Sequence, residues 1–159
     1  DEADRKFARK IRATLSPNDL ASDASLTRSF MGGHDPEGLV KQGGEAVLFA
    51  GILPFSERTA LLPGSTDVGD VSWIAPTVQI AATCLAFGTP PHSWQLVAQG
   101  MMPAAYKGML TAAKVMARAA MDVLAHPELL RQARDELAET LGGSQYSCPI
   151  PPGVRPKTA

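Results

Sequence analysis

Apolar and polar positions recur at helical spacing over several stretches of the chain. Near the start, Phe7, Ile11 and Leu15 stand four residues apart, with Ala3 and Ala8 on or beside the same stripe. Positions three and four apart share one face of a helix, so the pattern predicts a helix over 2–15. Acidic residues crowd its first turn, where the helix dipole favours them, and Ser16-Pro17-Asn18 ends it. The clearest pattern spans 103–125. Met109, Ala113, Met116, Ala120 and Leu124 form an apolar stripe, while Lys107, Thr111, Lys114, Arg118 and Asp122 form a polar one. This predicts an amphipathic helix opened by Pro103, with its Ala- and Met-rich stripe facing a core. Leu130, Ala133, Leu137 and Leu141 predict a further helix over 127–141, begun at Pro127 and ended at Gly142-Gly143.

The stretches between these helices follow a different pattern. Residues 16–45 are rich in Ser, Asp and Gly, with Gly32-Gly33 and Gly43-Gly44, and read as a long loop. A loop of that length in a compact domain is expected to serve a function or to cover something. The run Ala46-Val-Leu-Phe-Ala-Gly-Ile-Leu53, closed by Pro54, predicts a strand over 46–53. Residues 77–87 are apolar on both faces and bounded by Pro76 and Gly88-Thr89-Pro90, the pattern of a strand buried between helices. The expected fold class is therefore α/β, with buried strands flanked by helices over 1–141. Residues 142–159 form a Pro-rich extended tail.

Composition narrows the function. A length of 159 residues suits one domain. The chain is 45% hydrophobic and 19% charged, which excludes a disordered tail. Lys+Arg number 15 against 16 Asp+Glu, so the basic excess of a nucleic-acid-coating protein is missing. There is no apolar run of membrane-spanning length and no apolar stretch of a secretory signal near the start, so the expectation is a cytoplasmic protein with no nucleic-acid or membrane partner. The first residue is Asp1 rather than Met, which reads as a processed or truncated product. Cys84 lies in an apolar run and is expected to be a buried thiol, while Cys148 sits in the Pro-rich tail. Their spacing is not that of a disulfide framework. The three histidines, His34, His92 and His126, are too few for a self-contained multi-histidine metal centre.

Two loops carry candidate chemistry. The first, Pro63-Gly-Ser-Thr-Asp-Val-Gly-Asp-Val-Ser-Trp73, gathers Ser65, Thr66, Asp67, Asp70 and Ser72. It reads either as a turn leading into a helix N-cap or as the polar wall of a site, with Gly64 and Gly69 allowing close backbone approach. The second, Gly88-Thr-Pro-Pro-His-Ser-Trp-Gln95, puts a histidine at the carboxyl end of a predicted strand, where α/β sheets place ligands. Neutral imidazole is a common metal ligand, although a lone histidine is also often structural. His34 reads as solvated and His126 as a capping residue ahead of Pro127.

Taken in order, Gly64-Ser-Thr-Asp-Val-Gly-Asp-Val-Ser-Trp73, Pro76-Thr-Val-Gln79, Gly88-Thr-Pro-Pro-His-Ser-Trp-Gln95, Ala98-Gln-Gly100, Ala104-Ala-Tyr-Lys-Gly-Met109 and the Cys148-Pro-Ile-Pro-Pro tail resemble one family. It is the dinuclear-zinc amidohydrolases of aminoacylase and carboxypeptidase type, nearest the branch that acts on aminobenzoyl-glutamate. The resemblance covers most of residues 1–155 and implies the C-terminal part of a zinc-peptidase-like catalytic domain without the lid domain. In such enzymes two zinc ions supply a Lewis acid and an activated water for attack on an amide. The resemblance makes His92 the last metal ligand in chain order. It assigns Gly64, Ser65, Thr66, Asp67, Asp70, Ser93 and Trp94 to the pocket or to support around it, with a packing role as the other reading of Trp94. The family's other ligands and its general base are not found in this sequence, and Tyr106 stands where relatives often carry His.

The resulting expectation is a C-terminal fragment of an amidohydrolase acting on a small aryl- or acyl-amino acid, inactive when isolated. Exposed apolar surface is expected to drive self-association, with a homo-oligomer as the result. The rival expectation is an independently encoded, non-catalytic binding or assembly module on the same fold segment, and a third is a degenerate pseudo-enzyme.

Overall fold

A computed structural model describes residues 1–31, 38–55 and 66–155. Four of its helices begin where a side chain accepts from a free N–H group of the first turn. Helix α1 (Glu2–Arg12) opens on a capping box between Asp1 and Asp4. Helix α2 (Pro17–Phe30) opens on another between Ser16 and Asp19, with proline at its first position. The two hydrogen bonds from Ser16, backbone first and hydroxyl second, hold the Asp19 carboxyl below its ordinary pKa. Helix α3 (Leu39–Ala46) follows Gly38, whose φ of 62° is left-handed. Helices α4 (Asp67–Ser72) and α5 (Trp94–Gln99) are short and capped by Thr66 and Ser93. Helix α6 (Pro103–Ala125) and helix α7 (Pro127–Leu141) complete the order.

The chain divides into two compact units, and the boundary falls inside α6 after Met116. The first unit comprises 1–62 and 80–116. Its core has two clusters: Ala8, Ile11, Val47 and Ala86, with Phe7 and Leu48 packed against them, and Met31, Leu39 and Val40 with Ala24, Phe49, Leu53 and Phe87. The second unit comprises 63–79 and 117–159 and includes α4, α7 and the described part of the tail. All the buried apolar residues among those described belong to the first unit.

Several expectations require correction. The α/β fold does not hold, because no strand occurs among the described residues. The segments 46–53 and 77–87 meet through the backbone bond from Phe87 N–H to the Val47 carbonyl, 2.7 Å. The amides on either side of Phe87 donate to side chains instead, Ala86 to Gln99 and Gly88 to Asp23, so a ladder cannot extend. Val47 itself has a left-handed φ of 68°, which is incompatible with entering a strand. Residues 16–45 are not a loop either, since they contain α2 and α3.

The predicted core stripe of α6 is also displaced. Met109, Met116 and Leu124 are 55%, 57% and 81% exposed. The inward face of α6 in the first unit is made of small residues instead: Ala104 and Ala105 are half-buried, Gly108 is buried and Ala112 is half-buried. A Cβ at Gly108 would lie 2.6 Å from Cys84 Sγ and 2.9 Å from the Thr83 carbonyl carbon. Only glycine permits that approach of helix to backbone. Cys84 is accordingly half-buried, and Cys148 is exposed.

Candidate functional site

The turn after residue 85 is fixed by three consecutive backbone amides, each donating to a different part of the first unit. Ala86 N–H donates to Gln99 Oε1 at 2.7 Å, Phe87 N–H to the Val47 carbonyl at 2.7 Å, and Gly88 N–H to Asp23 Oδ2 at 2.6 Å. Gln99 is only 3% exposed and uses its amide fully. Its Nε2 donates to Thr89 Oγ1 and to the Gln95 carbonyl, both at 3.0 Å. Thr89 closes the turn by donating its hydroxyl to the Ala86 carbonyl at 2.6 Å. Gly88 has φ +92°, a conformation that disfavours any residue with a Cβ.

This turn leads through Pro90-Pro91 to His92, whose φ of 58° is left-handed and whose side chain is exposed. Histidine tolerates that region better than most residues, yet it is uncommon enough to mark a constrained site. Ser93 then caps α5, accepting from Leu96 N–H at 3.2 Å and donating to the Pro90 carbonyl at 2.7 Å. Trp94 begins α5 and is 61% exposed. His92, Ser93 and Trp94 thus lie together on one rigid corner, with the imidazole and the indole accessible.

The other candidate loop belongs to the second unit. Thr66 caps α4 by accepting from Val68 N–H at 3.3 Å, and Asp67 and Asp70 occupy the first turn of that helix. Asp70 also accepts a hydrogen bond from the Tyr146 hydroxyl at 3.0 Å. Removal from water first, and then the hydrogen bond to anionic Asp70, push the Tyr146 phenol up to about 12. Gly64 and Ser65 lie outside the described residues, as does His34. His126 occupies the N-cap position of α7 without a side-chain capping bond, and its Nδ1 lies 3.0 Å from the Asp122 carbonyl.

Gln99 also borders a cavity of about 10 Å³, lined by Asp4, Cys84 and apolar neighbours. That is at the lower limit for one water molecule and far too small for a substrate. Asp4 is buried, and Lys107 Nζ lies 2.5 Å from its Oδ2. The hydrogen bond from Lys107, and after it that from the Asp1 amino group, hold the Asp4 carboxyl below its ordinary pKa. Among the described residues no three His, Cys, Asp or Glu side chains converge as a metal site requires. No helix among them is long and apolar enough to cross a membrane.

Gln99 and Asp23 are not legible as site residues from the sequence. A glutamine directly following the apolar run Leu96-Val-Ala98 is the one local hint of a polar group turned inward. Asp23 offers no local signal, because its acceptor role depends on a bond across 65 residues.

No protein-family profile and no solved structure matches the chain. Among curated proteins, it is 39% identical over 150 residues to one of the subunits of p-aminobenzoyl-glutamate hydrolase from Escherichia coli (strain K12). The match covers 94% of this chain and 31% of that protein, so the chain spans about a third of the relative's length.

Proposed function

From the premise that this chain is a relative of a p-aminobenzoyl-glutamate hydrolase subunit, we propose that it forms part of a hydrolase that cleaves the amide bond of an aryl- or acyl-amino acid such as aminobenzoyl-glutamate. The observation that carries this reading is the extent of the match, which runs through both candidate loops and nearly the whole chain. The His92 corner supports it with an accessible imidazole held on a constrained backbone.

In this reading His92 supplies one ligand to a zinc centre. The described residues do not fit a complete centre, because zinc takes about four ligands and one imidazole is present at this corner. The other ligands and the general base belong to segments of the whole enzyme that this chain does not match. Trp94 offers an aromatic wall beside the imidazole, and Ser93 fixes the start of α5. The relative's designation as a subunit supports assembly with another chain. The exposed Met101, Met121 and Leu124 side chains supply apolar surface for such contact, self-association included.

The test uses the complete gene product containing this sequence, loaded with zinc and given p-aminobenzoyl-glutamate. Release of p-aminobenzoate and glutamate is expected, and His92→Ala should abolish turnover and lower bound zinc. A complete product that releases neither would overturn the hydrolase reading and favour a non-catalytic module. Undiminished turnover and zinc content in His92→Ala would remove His92 from the ligand set.

A further inference from the structure

We propose that Gln99 and Asp23 are positioning residues that hold the 86–93 turn so that His92 is presented in its left-handed conformation. The inference rests on the reading of His92 as a functional imidazole, but its structural part can be judged separately. Three features carry it. First, Gln99 Oε1 and Asp23 Oδ2 take the amides on either side of Phe87, at 2.7 and 2.6 Å, so the turn is gripped from α5 and from α2 at once. Second, Gln99 is buried and its Nε2 also binds Thr89 Oγ1, so one side chain ties the first residue of the turn to its fourth. Third, the path from Gly88 to His92 has little freedom. Pro90 and Pro91 fix their own φ angles, and the Ser93 hydroxyl is bonded back to the Pro90 carbonyl. A shift at residues 86–88 is therefore passed on to His92 rather than absorbed.

Neither side chain reaches the imidazole or any reacting atom, so their effect is on its placement. The supporting bonds also explain how an uncommon backbone conformation persists at a residue that is itself exposed. Strained φ values survive where the surroundings over-determine them.

The experiment compares Gln99→Met, Asp23→Leu and Asp23→Asn, the last of which keeps an oxygen acceptor for Gly88 N–H. In the isotope-labelled chain, nuclear magnetic resonance reads the His92 backbone directly, because a left-handed residue gives a strong amide-to-Hα contact within itself. That signal should be lost in Gln99→Met and Asp23→Leu and kept in Asp23→Asn. In the complete gene product, kcat for p-aminobenzoyl-glutamate should fall about tenfold in the first two variants, the equivalent of about one hydrogen bond. KM should hold, and Asp23→Asn should recover most of the loss. A folded Gln99→Met or Asp23→Leu with an unchanged His92 signal and unchanged kcat would overturn the proposal. If Gln99→Met does not fold, the Asp23 pair decides alone. If His92→Ala retains turnover, the functional reading of His92 fails, while the backbone signal still decides whether these residues position it.

Discussion

Replacing Gly108 by alanine sets two opposing effects against each other. Glycine inside a helix costs about 1 kcal/mol relative to alanine, so intrinsic propensity alone predicts a more stable protein. The new Cβ, however, would lie 2.6 Å from Cys84 Sγ, 2.9 Å from the Thr83 carbonyl carbon and closer still to the Thr83 oxygen. Ordinary contact for a Cβ begins at 3.4 Å. Cys84 can rotate its side chain, but the Thr83 carbonyl is backbone, three residues before the amides fixed by Gln99, Val47 and Asp23. Helix α6 must therefore lift, which also loosens Ala104, Ala112 and the Lys107–Asp4 pair. Overpacking of this kind costs about 1–3 kcal/mol. Where the clash outweighs the propensity gain, the net loss reaches up to about 2 kcal/mol, and a loss is the expected sign. Thermal denaturation followed by circular dichroism should show a fall of about 2–4 °C for each kcal/mol lost. Gly69→Ala in α4 is the control, because nothing lies within 4 Å of its Cβ position. It should leave the melting temperature level or raise it. A Gly108→Ala variant that gained stability as Gly69→Ala does would show that α6 does not rest on the 83–84 backbone.

Gly88→Ala should be more damaging, since φ +92° is strained for alanine and the Cβ would strike Leu20 and come within 3.2 Å of Leu15 Cδ1; a loss of about 1–3 kcal/mol by urea denaturation is expected, and a neutral result would mean that the turn is placed otherwise. The lowered Asp4 pKa links stability to acid. Its contribution is complete above the unfolded-chain value of about 3.9 and is lost as pH falls through the lower folded value. Melting temperatures taken across that window should drop more steeply in the parent than in Lys107→Met, and parallel curves would exclude the pair as the cause. For Tyr146 the sign is reversed: a phenol raised to about 12 adds stability that is present below its unfolded value of about 10 and is lost as pH rises through the folded one. Ultraviolet titration should show a late phenolate that disappears in Tyr146→Phe and moves down in Asp70→Asn, and a titration indifferent to Asp70→Asn would discount the hydrogen bond.

Helices α6 and α7 lie over the residues that periodicity and their opening prolines assign, because those signals are local and long. The buried face of α6 is another matter. The larger Met and Leu side chains suggest the inward stripe, whereas packing selects Gly108 and its alanine neighbours, which let the backbone approach. Helix α2 is concealed by a Ser- and Asp-rich composition typical of loops, although Ser16, Pro17 and Asp19 spell a helix start. The segment 77–87 shows the limit most clearly. Its apolar run is real and its later residues are half-buried or buried, but a strand needs paired amides along a neighbour, and three side-chain and backbone acceptors from distant positions claim them instead. At the candidate site, the capping roles of Thr66 and Ser93 follow from residue type, whereas the left-handed backbone of His92 and the grip of Gln99 and Asp23 emerge only once the chain is folded.

The three-way tether of residues 86–88 also has a kinetic meaning. Its acceptors reach back to residue 23 and residue 47 and forward to residue 99, so the turn cannot settle until separate parts of the first unit have already met. Contacts that close such long loops form late on the way to the native state. Weakening them should therefore leave refolding rates nearly unchanged and speed unfolding. The corner that presents His92 would be the last part of its unit to lock and the first to let go.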